Sequence, residues 1–146
     1  MNLSRRYFGY SLDNVHIGDG RKLLERESPR TFDYILVDAF TEKGTPKPLT
    51  SLSFFQMAAQ KLDPEGALLL NLMGKGDHDP LIAAIHTTLS EVFTNVKAYK
   101  LPSEGRRDLQ NFILMGQNKA ITANLRHMAG FAEIVPDYGH ILFDAD

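Results

Sequence analysis

A chain of 146 residues is long enough to form one domain with a buried core. Its 43% apolar and 23% charged residues match the usage of globular domains, which argues against a disordered or fibrous chain. A net charge of −2 leaves no electrostatic footprint for nucleic acid or an anionic membrane, and the absence of cysteine excludes disulfides, thiolate chemistry and cysteine zinc sites.

Residues 1–9 read as the end of a helix stopped at Gly9. They hold Arg5 and Arg6 but no apolar signal core. Residues 14–17 are a short strand candidate, followed by the turn Gly18-Asp19-Gly20. Residues 21–27 have a helical pattern with Leu23 and Leu24 inward, broken by Ser28-Pro29-Arg30. Residues 32–37 read as a strand, and the unbroken run Tyr34-Ile35-Leu36-Val37 suggests burial on both faces, as in a central parallel strand.

A loop over 41–48 contains Pro46 and Pro48. Ser51 or Ser53 is the candidate cap of a helix reaching Leu62, with Phe54, Phe55, Met57 and Ala58 on its apolar face. Asp63-Pro64-Glu65-Gly66 is a turn signal before an apolar strand over 67–72. A polar loop over 74–79 precedes Pro80, placed to open a helix whose stripe is Leu81, Ile82, Ile85, Leu89 and Phe93. Residues 95–101 and 111–115 read as two strands joined by a loop, hence an antiparallel pair. No apolar stretch is long enough to cross a bilayer, and a cytoplasmic protein is expected. Residues 1–118 are expected to form one α/β unit, and 119–146 a short helix and a loose tail.

In open α/β sheets ligands bind beyond the carboxyl ends of the strands. Two carboxylates lie there. Asp19 follows the strand candidate 14–17, and Asp38 follows the strand 32–37. The first could accept hydrogen bonds from a ligand amine, and the second could hold a cation or take a proton from a nucleophile. The plainer alternative is that Asp19 caps the following helix and Asp38 merely ends a strand. Gly74-Lys75-Gly76-Asp77 lacks the Walker spacing and reads as a surface loop. No pair of the five histidines has metal-ligand spacing, so no metal is expected. Covalent acyl chemistry is disfavoured, because no serine lies in Gly-x-Ser-x-Gly.

The order of these signals resembles the polyamine aminopropyltransferases, the family of spermidine synthase. The resemblance rests on Val15-His16-Ile17-Gly18-Asp19-Gly20-Arg21, Phe32-Asp33-Tyr34-Ile35-Leu36-Val37-Asp38-Ala39-Phe40, and Pro48-Leu49-Thr50-Ser51 with Phe54-Phe55. Lys61-Leu62-Asp63-Pro64-Glu65-Gly66 and Asn71-Leu72 continue it. It implies a Rossmann-like sheet of methyltransferase type, mostly parallel with an antiparallel C-terminal pair. It also implies roles. Asp19 would accept from the adenine amino group of decarboxylated S-adenosylmethionine or S-adenosylmethionine, and Gly20 would let the backbone lie close to the base. Asp38 would bind the attacking amine of a polyamine and help deprotonate it. The family's second acid, three residues after the first, is here Thr41, followed by Glu42.

The family's first two strands and their Gly-rich turn have no counterpart before Asn14, so weak or absent nucleoside binding by this chain alone is expected. An uncovered edge on an apolar strand would favour homodimerisation. Two readings therefore compete: an enzyme, transferring aminopropyl or methyl groups on this fold, and a non-catalytic assembly module.

Overall fold

The computed structural model describes residue 6 and residues 15–102, 109–121 and 129–145. Helix α1 spans Gly20–Glu25, β1 Phe32–Val37, α2 Leu52–Lys61, β2 Leu62–Gly74, α3 Pro80–Ser90, β3 Asn95–Lys100, β4 Gln110–Gln117 and β5 Ala132–Ile134, with a 3-10 turn at Lys47–Leu49. The strands form one mixed sheet in the order β1-β2-β4-β3-β5.

The α/β class holds, and β3 and β4 are the antiparallel pair expected from their short connection. The balance of directions differs from the expected parallel majority. Among the described residues only β1–β2 is parallel, whereas β2–β4, β3–β4 and β3–β5 are antiparallel, because β4 turns back between β2 and β3. A second difference concerns residues 14–17. Asn14 and most of residues 1–14 lie outside the described residues. Val15, His16 and Ile17 form no strand, and Ile17 is exposed. An isolated strand has no ladder to satisfy its backbone, so an apolar pattern of three residues cannot hold one.

Local chemistry explains the element boundaries. Ser51 caps α2 by accepting from Phe54 N at 3.3 Å. Asp79 caps α3 by accepting from Leu81 N at 2.8 Å and Ile82 N at 3.2 Å, with Pro80 at the first helical position. The turn signal at 63–66 appears as a bulge within β2. The register moves from Phe32↔Leu62 to Tyr34↔Ala67, and Asp63 Oδ1 accepts from Glu65 N at 3.0 Å. Gly66 is required there, since a Cβ would lie 2.7 Å from the Asp33 carbonyl oxygen.

The core lies between the helices and one face of the sheet. Leu68, Leu70 and Leu72 of β2, with Phe112 and Leu114 of β4, pack against Phe54, Phe55 and Ala58 of α2 and Ile82, Ile85 and Leu89 of α3. The period-2 alternation turns Leu69, Asn71 and Met73 to the opposite face. On β1 that face carries Tyr34 at 72% and Leu36 at 64% exposure, so β1 is not buried on both sides as its composition suggested. The uncovered face holds a hollow of about 520 Å³ bordered by Tyr34, Leu36, Leu69 and Met115.

The C-terminal residues are seated rather than loose. After β5 the chain runs back over α3, where Gly139 N donates to Thr87 Oγ1 at 2.8 Å and Leu142 N to Thr88 Oγ1 at 2.9 Å. These bonds account for two buried hydroxyls on the apolar helix α3. Residues 122–128 of this segment, in which a short helix is expected, lie outside the described residues.

Candidate functional site

Asp38 is the first residue after β1. Since Val37 is opposite Leu70, Asp38 falls opposite Asn71, and Asn71 Nδ2 donates to Asp38 Oδ1 at 3.0 Å. Asn111 of β4 sits diagonally across from Asn71 on the same face, and its Nδ2 donates to Asn71 Oδ1 at 2.7 Å. The result is a polar relay, Asn111 to Asn71 to Asp38, on a sheet face that also carries Leu36, Leu69, Met73, Ile113 and Met115. The relay fixes the Asn71 amide, because the flipped amide would turn its oxygen toward the carboxylate. It also fixes the carboxylate while leaving Oδ2 without a donor among the described residues. Asp38 is legible as a candidate from the sequence, whereas Asn71 and Asn111 join the site only through the strand pairing. Their signal is an amide inside the apolar run Leu70-Asn71-Leu72 and another, beside Gln110, at the start of the run Phe112-Ile113-Leu114.

The loop after Asp38 is folded tightly. Thr41 and Gly44 exchange backbone hydrogen bonds, Thr41 N to Gly44 O at 2.8 Å and Gly44 N to Thr41 O at 2.9 Å, and Gly44 has φ 97°. Thr41 Oγ1 donates to Gly44 O and accepts from Lys43 N. Thr41 is thus a turn former, and Glu42 stands exposed at the tip. Beside this turn lie two adjoining clefts of about 380 Å³ each, which share Lys43, Thr45, Leu81 and Ile85. Phe40, Glu42 and Met73 border the first, while His140 and Phe143 border the second.

Asp19 and Gly20 open helix α1. Asp19 Oδ1 accepts from Lys22 N at 3.1 Å, which is the capping role the plainer reading assigned. Its Oδ2 is unengaged among the described residues. A Cβ built on Gly20 meets nothing within 4 Å, so packing leaves open space above this residue. A carboxylate oxygen left free in this way can accept a hydrogen bond from an amine. The two candidate carboxylates belong to neighbouring elements, and the structure shows no direct contact between them.

The loop 74–79 is closed by its own acid. Asp79 Oδ2 accepts from Lys75 N at 2.7 Å while Oδ1 takes the first amides of α3, and Asp77 pairs with Lys100. Those amides are therefore occupied. His78 pairs with Asp137 at 2.8 Å, and the carboxylate raises the imidazole pKa. Among the described residues no group of three or more His, Asp and Glu is placed to hold a metal ion. No helix among them is long and apolar enough to cross a membrane.

The side-chain carboxylate of Asp144, near the C-terminus, reaches the start of α1. Arg21 Nη1 donates to Asp144 Oδ1 at 2.8 Å and Nη2 to Oδ2 at 3.0 Å, and Ser53 Oγ donates to Oδ2 at 2.5 Å. These donors hold the Asp144 pKa well below the ordinary carboxylate range. A lowered folded-state pKa contributes stability that is present above the unfolded value near 4 and is lost as pH falls below it. Asp144→Asn should therefore flatten the acid side of the stability curve. Urea midpoints measured at pH 6 and pH 3 should differ less in the variant than in the natural sequence. Equal differences would remove Asp144 from the acid transition.

Comparison with known proteins supplies the family. The family model described as the spermine/spermidine synthase domain matches residues 3–123. A polyamine aminopropyltransferase of Vibrio vulnificus is 28% identical over 110 residues, which cover 70% of this chain and 35% of that protein. A probable polyamine aminopropyl transferase of Bifidobacterium longum is 31% identical over 96 residues, 64% of this chain and 21% of that protein. A crystal structure of a probable spermidine synthase from Corynebacterium glutamicum superposes with TM-score 0.72 at 28% identity, over 84% of this chain and 45% of that chain. A spermidine synthase in complex with the transition state analogue AdoDATO superposes with TM-score 0.64 at 15% identity, over 94% of this chain and 50% of that one, and shows the shared fold alone. The chain spans about a third and a fifth of the two curated relatives.

Proposed function

The chain belongs to the spermine/spermidine synthase family, and we propose that it supplies the amine-activating part of an aminopropyltransferase site, completed by further polypeptide. The observation that carries this reading is Asp38. Its carboxylate stands at the carboxyl end of β1 with one oxygen fixed by Asn71 and the other unengaged among the described residues. An alkyl amine with a pKa near 10 is protonated at neutral pH and attacks only after losing that proton. Asp38 Oδ2 accepts a hydrogen bond from the ammonium of the acceptor, orients it and takes its proton, which frees the lone pair that then forms the C–N bond. Asn71 holds the carboxylate in place. Asp19 Oδ2 accepts from the exocyclic amine of the adenine, over the open space at Gly20. Decarboxylated S-adenosylmethionine supplies the propylamine group on a sulfonium centre, and departs as methylthioadenosine when the C–S bond breaks. The acceptor is a small amine of the polyamine class, the reaction is cytoplasmic, and the protein works as a homo-oligomer or with a second chain.

The length of the relatives supports the need for completion, since the Corynebacterium glutamicum chain is matched over 45% of its length. The uncovered side chains of Tyr34 and Leu36 support it as well. Those side chains also favour the second reading, an assembly module without catalysis.

The test is calorimetric titration with methylthioadenosine, using the chain alone and the chain mixed with the remainder of the Corynebacterium glutamicum protein. Saturable binding that Asp19→Ala removes supports the nucleoside role, and methylthioadenosine release with an amine acceptor supports the transfer. Millimolar ligand that binds neither preparation overturns the enzyme reading in favour of the assembly module.

A further inference from the structure

Helix α1 has six residues and none of them is buried. Helices this short are not stable on their own, so something outside α1 must hold it in place. Leu24 packs against the core, and Arg21 is the polar anchor within the helix that reaches the most distant parts of the chain.

The Arg21 guanidinium has five N–H donors and meets five acceptors. Nε donates to Glu25 Oε1 at 3.3 Å, Nη1 to Pro48 O at 3.0 Å and Asp144 Oδ1 at 2.8 Å, and Nη2 to Ser53 Oγ and Asp144 Oδ2 at 3.0 Å each. The pair with Asp144 is a two-pronged fork, which a lysine cannot reproduce. Asp144 is itself delivered by fixed contacts. Leu52 N donates to Leu142 O at 2.8 Å, and Leu142 N is bound to Thr88. Arg21 therefore ties together three regions distant in sequence: the helix that opens with Asp19 and Gly20, the end of the loop that starts after Asp38, and the C-terminal segment.

We propose that Arg21 is a positioning residue. Clamped by Asp144, it sets helix α1 against the Pro48 end of the loop and so fixes the spacing between the two candidate carboxylate regions. This rests on the proposed function only for what the spacing serves. The mechanical role stands on the contacts. It also explains why the C-terminal segment is seated: its last turn is the clamp, and a chain shortened before Asp144 loses it.

Native-state amide exchange of the full chain tests this in a double-mutant cycle of Arg21→Gln, Asp144→Asn and the double variant. The amides read are Leu23, Arg26 and Glu27, bonded to the carbonyls of Asp19, Leu23 and Leu24, and Leu49 and Thr50, bonded to those of Pro46 and Lys47. Each single substitution should speed exchange at both sets roughly tenfold, the double should add little more, and the amides of β2 and β4 should be unchanged. Arg21→Lys should behave like Arg21→Gln. Acceleration confined to residues 139–145, additive effects, or a silent Arg21→Lys would overturn the proposal. In a preparation that binds methylthioadenosine, Arg21→Gln should weaken binding in step with the faster exchange. Absence of nucleoside binding in every variant, the natural sequence included, would count against the proposed function and leave the exchange result standing.

Discussion

Asp38→Asn is expected to slow propyl transfer by about 10²–10⁴-fold in the completed assembly, the loss associated with removing a positioned general base. Stability should move by less than about 0.5 kcal/mol, because the side chain is exposed and an amide oxygen can still accept from Asn71 Nδ2. The substitution keeps shape and hydrogen bond while removing the charge that holds an ammonium and the basicity that takes its proton. Asn71→Ala separates the two contributions. It leaves the carboxylate but frees its rotation, and a smaller loss, roughly tenfold, is expected from one missing hydrogen bond to a charged group. Steady-state release of methylthioadenosine under saturating acceptor measures both. If Asp38→Asn kept more than about a tenth of the rate, the proton would have to leave by another route and the role assigned to Asp38 would fall.

How far this site could be read from the sequence depended on the range of the interactions. Asp38 was visible because it directly follows an apolar run, and a polar residue at that point is either a terminator or a working group. The Asn71 amide lies in the run Leu70-Asn71-Leu72, where a polar side chain on an apolar strand is an anomaly that asks for a partner. The partner is Asn111, 40 positions away, and only the pairing of β2 with β4 brings them together. Helices α2 and α3 were legible from local chemistry. Ser51 and Asp79 bind amides two and three residues on, and Pro80 has no amide to satisfy. The direction of the sheet was less so. Tyr34-Ile35-Leu36-Val37 has the composition of a doubly covered strand, yet Tyr34 and Leu36 are exposed in the described chain. Composition records which surfaces a strand is suited to meet, and cannot say which polypeptide meets them.

The same distinction applies to the C-terminal segment, which carries no periodicity because it is neither helix nor long strand. What gives it order is a set of single contacts reaching back over 50 residues or more, and no window of local sequence contains both ends. Two threonines on an apolar helix face were the trace it left. Thr88 Oγ1 donates to Ala84 O at 2.7 Å and still accepts from Leu142, so its hydroxyl is satisfied on both sides only when the segment is seated.

Gly139→Ala is therefore expected to destabilise the chain by about 2–4 kcal/mol, combining an overpacking cost of about 1–3 kcal/mol with about 1 kcal/mol for a lost hydrogen bond. A Cβ at residue 139 would lie 2.4 Å from Ala84 N and 2.6 Å from Ala83 C and Ala84 Cα. These are backbone atoms of α3 and cannot swing aside as a side chain does. The segment must lift, breaking Gly139 N to Thr87 Oγ1 and straining Leu142 N to Thr88 Oγ1. Urea unfolding at neutral pH reads the loss. A change under about 0.5 kcal/mol, the level of an ordinary surface substitution, would mean that the segment does not rest on α3. The variant also connects the seat with the clamp. Once the segment lifts, Asp144 is no longer presented to Arg21 and Ser53, so its pKa returns toward the ordinary carboxylate value near 4. Adding Asp144→Asn to Gly139→Ala should then leave the acid side of the stability curve unchanged, although the same substitution flattens it in the natural sequence. A difference that survived in the Gly139→Ala background would show that Asp144 finds Arg21 without the seat on α3.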